Sequence, residues 1–372
     1  MERLRIGLIG YGYWGPNLVR NFSTCPLTEA VAVCDASPAR RAAVAKAYPG
    51  LATVATVDEL LELPLDAVAI ATPVSTHFPL AMRCLEAGKD VLVEKPLASS
   101  VRDAQLLTDR AAHLGRVLMV DHTYLFSNAV RRMKQLIDSG DLGDLHYVDS
   151  VRINLGLFQN DVNVIWDLAP HDLSIVEHLL DLRPRSISAW GCSHANPEIE
   201  DIAYVNVDYG EKLMASFHVN WLSPVKVRQI IVAGSKKSLI FNELNPSEPL
   251  KVYDRGIELT EAEERLRVGY RTGDMWSPHI EPGESLQAMV THFAECVRGR
   301  LDPVSDGRMG VRVVRLLEAA TRSIRAQGGR LVLTAGEATH ADGDSRAVRF
   351  GQLRPGLADR TNGAERGHPL LR

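Results

Sequence analysis

One glycine-rich segment constrains the fold of this chain more than any other feature. It lies between a β-rich run, residues 4–9, and a stretch with helical character, residues 16–22. In such a strand–turn–helix unit, one glycine permits a tight turn, one lets the backbone approach a pyrophosphate, and one packs helix on strand. The start of the helix adds free amides and a positive dipole end. We therefore predict a dinucleotide site at Gly10, Gly12, Tyr13, Trp14 and Gly15.

Asp35 ends the next β-rich run. A carboxylate at this position accepts hydrogen bonds from the adenosine ribose hydroxyls and repels a 2′-phosphate. We therefore expect NAD as the cofactor rather than NADP. Arg40 and Arg41 lie close by in the sequence, and they could either hold a phosphate or be solvated surface charges.

The pattern of β-rich runs changes near residue 120. Before that point, short runs at 4–9, 30–34, 67–71, 91–93 and 117–120 alternate with helical stretches, which is typical of a parallel sheet with crossover helices. After it, longer runs with a period of two favour antiparallel strands, at 146–155, 186–194, 202–209, 213–222 and 227–233. Helical patterns at 168–180, 284–297 and 311–324 are expected to cover one side of that second sheet.

The fold class that follows is α/β, with an N-terminal Rossmann dinucleotide-binding domain and a C-terminal α+β domain built on a large, mainly antiparallel open sheet. We place the domains at residues 1–121 and 122–335. Residues 336–372 are rich in Gly, Ala, Asp and Arg without periodicity, which predicts a disordered tail. A chain of 372 residues suits this division into two domains.

Charge and hydropathy favour a small-molecule partner. A formal net charge of -4 provides no basic field for nucleic acid. The N-terminus has no apolar stretch of the signal-peptide type, and no uncharged run approaches the roughly 20 residues that span a bilayer. We expect a cytoplasmic protein.

Two further strand ends carry candidate site residues. Thr72 and Pro73 close the fourth strand and are expected beside the cofactor, whereas His77 is either a ligand or a helix-start residue. Glu94 and Lys95 stand where the fifth strand stops, close to the expected position of a nicotinamide. Sequence alone leaves Lys95 open between a catalytic and a surface residue.

The segment from Trp166 to Asp172 contains a possible catalytic pair. Asp167 and His171 are four residues apart, which places both on one face of a helix. An alternative is that Asp167 caps a helix whose first turn contains Pro170, and that His171 is merely packed.

Together these motifs resemble the glucose-fructose oxidoreductase, inositol dehydrogenase and rhizopine-catabolism (Gfo/Idh/MocA) family. The resemblance covers residues 4–330 and is carried by 10–15, 71–73, 94–96, 120–122 and 167–171. It implies dimers or tetramers that act on sugars, sugar nucleotides or cyclitols with NAD and without a metal. It further implies that Lys95 orients the nicotinamide ribose and polarises the reacting oxygen. His171 would then be the acid/base, and Asp167 would contact substrate or orient the histidine.

The chain departs from a common family pattern, Gly-His-x-x-Arg-Phe, which here reads Asp121-His122-Thr123-Tyr124-Leu125-Phe126. This puts an arginine contact to substrate there in doubt. The segments 12–17 and 166–172 are most similar to nucleotide-linked aminosugar or uronate 3-dehydrogenases and to enzymes of antibiotic sugars. Further substrate candidates are Arg152, Asn154, Trp166, Trp276 and His279. Trp166 could instead be a buried aromatic residue.

Three functions remain open at this point. The chain could be a dehydrogenase that oxidises a polyol, a ketosugar reductase that uses NADH in the opposite direction, or a non-catalytic NAD-sensing regulatory protein. The first two need the same residues. The third does not need Lys95 and His171, both of which are present.

Overall fold

In a computed structural model, residues 2–156, 158–159, 161–262 and 265–333 are described. The first part of the chain forms a six-stranded sheet, ordered β3-β2-β1-β4-β5-β6, in which every pair is parallel. Its strands are β1 Leu4–Ile9, β2 Thr28–Cys34, β3 Ala52–Val54, β4 Ala67–Ile70, β5 Asp90–Glu94 and β6 Leu118–Asp121. The crossover helices are α1 Gly15–Thr24, α2 Pro38–Ala47, α3 Val57–Leu61, α4 His77–Glu86 and α5 Val101–His113.

This strand order is that of a Rossmann fold, and it confirms the predicted first sheet. Every residue of β4, β5 and β6 is buried, as expected for strands that helices cover on both faces. Because all six strands run parallel, their carboxyl ends share one edge, with the switch point between β1 and β4. The loops after β1, β2, β4, β5 and β6 therefore converge there.

The second sheet has nine strands in the order β14-β13-β12-β11-β7-β10-β9-β8-β15. The strands are β7 Leu145–Leu155, β8 Ser186–Cys192, β9 Ile202–Gly210, β10 Leu213–Asn220, β11 Leu222–Gly234, β12 Ser238–Asn242, β13 Leu250–Ala262, β14 Arg265–Trp276 and β15 Leu331–Val332. All pairs are antiparallel except β7 with β10. The helices of this region are α6 Asn128–Asp138, α7 Val164–Leu180, α8 Ser285–Gly299 and α9 Gly307–Arg325. The sheet is mainly antiparallel, as predicted.

One face of the second sheet is apolar because of strict alternation along β10. Leu213, Ala215, Phe217 and Val219 are all buried. Helices α7 and α9 pack on this face, whereas α8 packs against α1 through an edge-to-face contact of Phe22 with Phe293. The expectation that all three helices cover the sheet is therefore correct for two of them.

Several elements extend beyond the sequence patterns. Strands β12, β13 and β14 lengthen the sheet, and α6 connects its first strand to the parallel sheet. The predicted tail, 336–372, lies outside the described residues, and the domain bounds at 121 and 335 stay a prediction. Within the described ranges, no helix is both long and apolar enough to cross a membrane.

Candidate functional site

The glycine-rich loop between β1 and α1 has the space that a dinucleotide needs. Gly10 has a φ of 96°, and a Cβ there would lie 2.5 Å from the carbonyl oxygen of Ala71. A Cβ on Gly15 would collide with the carbonyl oxygen of Gly10. Packing of the protein itself therefore requires both glycines. A Cβ on Gly12 would meet no heavy atom within 4 Å, so Gly12 borders open space where a pyrophosphate can approach the backbone.

The start of α1 leaves a backbone donor for an anionic group. Trp14 is the N-cap residue, and its side chain forms no cap hydrogen bond. Pro16 has no N–H and the Asn17 amide donates to the Trp14 carbonyl oxygen at 3.0 Å, so the Gly15 amide is the donor of this first turn that has no acceptor among the described residues. The exposed rings of Tyr13 and Trp14 stand edge to face, with centroids 5.4 Å apart, beside this loop. The loop thus fits the phosphates of a dinucleotide such as NAD.

Asp35 follows β2, and its carboxylate is held by two backbone amides. The amides of Tyr11 and Ser37 donate to its two oxygens, each at 2.8 Å. Each carboxylate oxygen keeps a second lone pair that can accept from a ribose hydroxyl. Arg40 Nη1 lies 3.6 Å from the carboxylate, and Arg41 donates to the Asp35 carbonyl oxygen at 2.7 Å. The two arginines therefore flank the position expected for the adenosine ribose.

The loop after β4 is built around His77. Thr72 lies against Gly10, and its hydroxyl is 2.6 Å from that of Thr76. The buried ring of His77 has its two nitrogens 2.8 Å from the carbonyl oxygens of Thr72 and Pro96. His77 thus joins the loops that follow β4 and β5, in agreement with the helix-start alternative. Ala71 and Thr72 are the residues of this loop that contact the glycine-rich turn, whereas Pro73 is exposed.

Lys95 connects the parallel sheet to helix α7. Its Nζ donates to the carbonyl oxygen of Asp167 at 2.7 Å and lies 3.6 Å from the Asp167 carboxylate. The N-cap of α7 is Asn163, which accepts from the amide of Trp166 at 3.1 Å, so Asp167 is not the cap. Pro170 stands inside the helix, not in its first turn. It has no N–H for the Trp166 carbonyl and so disturbs the turn that Lys95 contacts.

His171 lies one helical turn after Asp167 and is largely enclosed by protein. Its Nδ1 has no hydrogen-bond partner within the described part of the chain. Burial lowers the pKa of His171 well below its ordinary value, and the charges of Lys95 and Arg152 act in the same direction. His171 is therefore neutral near pH 7 and able to accept a proton.

A hydrogen-bonded network supports the ring of His171 from behind. The ring stands edge to face on Tyr124, with centroids 5.0 Å apart, and the Tyr124 hydroxyl donates to Glu243 at 3.0 Å. Arg228 donates to the same hydroxyl at 3.2 Å and pairs with Glu243. Arg152 joins through Glu243 at 3.2 Å. In this network, sequence identifies only Arg152 as a substrate candidate, because the others come from distant segments without a shared motif.

Arg152 itself is committed to an ion pair. It donates from Nε and Nη2 to the carboxylate of Asp172, at 2.9 and 2.8 Å, and both side chains are 3% exposed. Asn154, two residues further on β7, lies near Gly156 and Trp221. The indole of Trp221 donates to the Asp167 carboxylate at 3.1 Å. Asn154 and Asp167 therefore both lie near Trp221, whereas Arg152 is held by Asp172 and Glu243.

The other three substrate candidates lie elsewhere. Trp166 is buried, and its indole donates to Thr321 of α9 at 3.0 Å, which fits the buried-aromatic alternative. Trp276 is in the edge strand β14, and the Nζ of Lys237 lies 5.0 Å from the centroid of its ring. His279 is exposed and pairs with Glu281 at 3.1 Å. Among the described residues, none of these contacts involves Lys95, Asp167 or His171.

Two family models match the chain. Residues 4–122 match an oxidoreductase family with an NAD-binding Rossmann fold, and residues 130–240 match the Gfo/Idh/MocA C-terminal domain. An uncharacterized oxidoreductase of Escherichia coli strain K12, YdgJ, is 30% identical over 262 residues, which are 66% of this chain and 73% of the relative.

Two further proteins are similar over most of their length. The scyllo-inositol 2-dehydrogenase (NADP(+)) IolW of Bacillus subtilis strain 168 is 24% identical over 346 residues, 87% of this chain and 94% of the relative. The solved structure of the UDP-N-acetylglucosamine 3-dehydrogenase GnnA from Acidithiobacillus ferrooxidans superposes with a TM-score of 0.74 at 24% identity. That comparison covers 88% of this chain and 99% of GnnA, and it shows a common fold.

Proposed function

The chain belongs to the Gfo/Idh/MocA family of oxidoreductases, and from this premise we propose that it is an NAD(H)-dependent dehydrogenase of CH–OH groups. Its substrate is a sugar, nucleotide sugar, aminosugar, aminoglycoside precursor or cyclitol with a reacting ring hydroxyl. One observation carries the proposal: the Lys95 ammonium donates to the Asp167 carbonyl oxygen, one helical turn before His171. A cation from the parallel sheet and a neutral imidazole from α7 thereby border the same space.

Each residue of this group has a distinct task in the proposed reaction. Neutral His171 accepts the proton of the substrate hydroxyl. The ammonium of Lys95 stabilises negative charge as it develops on the same oxygen. Asp167 holds Lys95 and is itself held by the Trp221 indole. The nicotinamide, when bound, supplies the hydride acceptor or donor.

The cofactor is proposed to be NAD because of the Asp35 carboxylate. A 2′-phosphate on the adenosine ribose would be repelled by it, although Arg40 and Arg41 offer partial compensation. The competing choice is NADP, which the similar enzyme IolW uses.

The variant Asp35→Asn tests this choice. A hydrogen bond to a charged acceptor contributes about 1.5–3 kcal/mol, so its loss should weaken NAD binding roughly 10- to 100-fold and narrow the preference over NADP. Asp58→Asn, an exposed carboxylate on α3, is the matched control. Equal affinities of the unaltered protein for NAD and NADP would contradict the assignment.

Charge balance near His171 favours a neutral hydroxylated ring at the reacting end of the substrate. Lys95, Arg152 and Arg228 each have a carboxylate partner. Leu125, which stands where the family pattern has arginine, is buried. We therefore expect hydroxyl groups, not a carboxylate, beside His171, and any nucleotide part of the substrate further out.

Two alternatives use the same fold. A ketosugar reductase would run the same residues in reverse, with His171 donating the proton. An NAD-sensing regulatory protein would bind the cofactor without turnover, and the presence of both Lys95 and His171 is the argument against it.

We further propose that the protein self-associates through the outer face of the second sheet. The face opposite α7 and α9 presents Trp190, Tyr204, Met214 and Tyr147, which are 61%, 51%, 48% and 40% exposed. An apolar surface of this kind favours a partner surface over water. Light scattering on the wild type and on Trp190→Glu tests it, and a wild-type monomer would contradict the proposal.

A substrate screen tests the main proposal. Reduced-nicotinamide absorbance is followed with NAD⁺ and NADP⁺ across inositols, nucleotide sugars, hexoses, aminosugars and aminoglycosides, and the reverse reaction is followed with their keto forms. We expect NAD⁺ reduction with at least one polyol. Tight NADH binding without turnover on any member would favour the regulatory alternative.

A further inference from the structure

Two buried carboxyl groups lie next to Lys95, and the proposed reaction does not use them. Glu94 ends β5, Asp121 ends β6, and the two are register partners in these parallel strands. Register partners in neighbouring parallel strands point to the same side of a sheet, so the two carboxyl groups are neighbours. The exposed fractions are 7% for Glu94 and 2% for Asp121. The pair is therefore withdrawn from solvent.

The pair is not stable with both groups ionised. Asp121 Oδ1 accepts from the hydroxyl of Thr123, but Oδ2 finds no donor among the described residues. Adjacent buried carboxylates also repel each other. Burial raises the pKa of both groups, and in Glu94 the charge of Asp121 is the next largest cause, while Lys95 opposes the rise in each. One proton between the two carboxyls supplies the missing donor and removes the repulsion.

We propose that Glu94 and Asp121 hold a single proton between them at neutral pH and act as a positioning pair for Lys95. The pair then carries one negative charge. The Lys95 charge acts on both carboxyls, so the pair lies within electrostatic reach of the ammonium, and the Asp167 carboxylate lies 3.6 Å from it on α7. The inference rests on the role proposed above for Lys95, whereas the shared proton itself does not.

The histidines and the hydroxyl group around the pair are uncharged at pH 7. His122 follows Asp121, and burial lowers its pKa to about 3, so it is neutral at pH 7. His171 is neutral as well, and Thr123 is a hydroxyl donor to Asp121. The negative groups that interact with the Lys95 charge are therefore Asp167 and the pair.

The pair depends on a departure of this sequence from the common family pattern. That pattern has glycine where this chain has Asp121, and a glycine would leave Glu94 without a second carboxyl. With Asp121 present, the two buried carboxyls near Lys95 share one proton, and their combined charge is minus one.

Infrared spectroscopy of the full chain tests the shared proton without any substrate. A protonated carboxyl has a carbonyl stretch separate from the bands of carboxylates and amides. We expect one such band from a buried group at neutral pH, and its loss in Asp121→Asn and in Glu94→Gln, because an amide can donate where the proton did. Asp90→Asn is the matched control, since Asp90 is buried at the other end of β5 but paired with Arg300 at 2.8 Å.

The control should keep the band. Absence of the band from the wild type would overturn the shared proton, as would its survival in both single variants. The wild-type spectrum decides this even where a variant folds poorly.

The effect on Lys95 is tested by the pH dependence of turnover once a substrate is known. Each single amide variant keeps one negative charge, whereas Glu94→Gln/Asp121→Asn has none. We expect kcat of the double variant to fall on the order of tenfold, with a smaller change in KM. The alkaline limb of its pH profile, where turnover falls as the pH rises, should also move to lower pH. Asp121→Asn should keep the limb in place. A limb that moves as far in the single as in the double variant would overturn the positioning role and leave the proposed dehydrogenase activity intact.

Discussion

Acidification should destabilise this protein through His122. The ring is 1% exposed, and neither nitrogen has a partner in the part of the chain that the structure describes. Burial lowers its pKa from 6.5 to about 3, and the charge of Lys95 adds to this. In the unfolded chain the ring protonates near pH 6.5, so below that value the unfolded state binds more protons. Stability present above pH 6.5 is therefore lost as the pH falls toward 3, by roughly 3 kcal/mol at about pH 4.5.

The variant His122→Leu isolates this contribution. Leucine removes two polar atoms that have no partner, so no large loss of stability is expected at neutral pH. Relative to the wild type, the variant should gain roughly 3 kcal/mol in the free energy of unfolding between pH 7 and about pH 4.5, measured by urea denaturation. His113→Leu, an exposed ring on α5, is the control and should track the wild type. If the free energy of unfolding changed with pH in the same way in His122→Leu and in the wild type, the buried ring of His122 would not be the cause of the acid destabilisation.

Two further predictions concern the glycine-rich loop and the buried ion pair. Gly12→Ala should keep the melting temperature but lose NADH affinity in a fluorescence titration, because its Cβ meets only the open space; Gly15→Ala should lower the melting temperature. Wild-type NADH affinity in Gly12→Ala would contradict the assignment of a dinucleotide site to this loop. Asp172→Ala should reduce the free energy of unfolding by about 3–5 kcal/mol, since it strips Arg152 of its bidentate partner. Asp58→Ala, from an exposed pair, should cost about 1 kcal/mol or less, and equal losses in the two variants would contradict the prediction.

The parallel sheet could be predicted because its signals are local. The strand ends are marked by short buried runs, by the glycine-rich turn and by Asp35. Each of these signals is contained within a few neighbouring residues of the sequence. The alternation in β10 likewise predicts the buried face of the second sheet. By contrast, α8 has an apolar face that fits a sheet or a helix equally well, and only the tertiary structure places it on α1.

The candidate site was partly predictable for the same reason. Lys95, Asp167 and His171 stand in short motifs. Glu243, Arg228 and Trp221 do not, since each is an ordinary residue of a strand or strand end that the register of the sheet brings toward α7. The helix cap shows a second limit. Asp167 and Asn163 are both good cap residues by type, and the choice between them depends on where α7 starts.

The proposed catalytic pair of His171 and Lys95 is tested on a single preparation of His171→Ala. Turnover with the substrate from the screen, NADH affinity and melting temperature are measured on that same preparation. Because Nδ1 has no partner among the described residues and the proposed cofactor contacts lie on the parallel sheet, NADH affinity and melting temperature should stay close to wild type. Turnover should fall by on the order of 10² to 10⁴. A lowered melting temperature with unchanged turnover per folded molecule would contradict the account and make His171 a packing residue of α7.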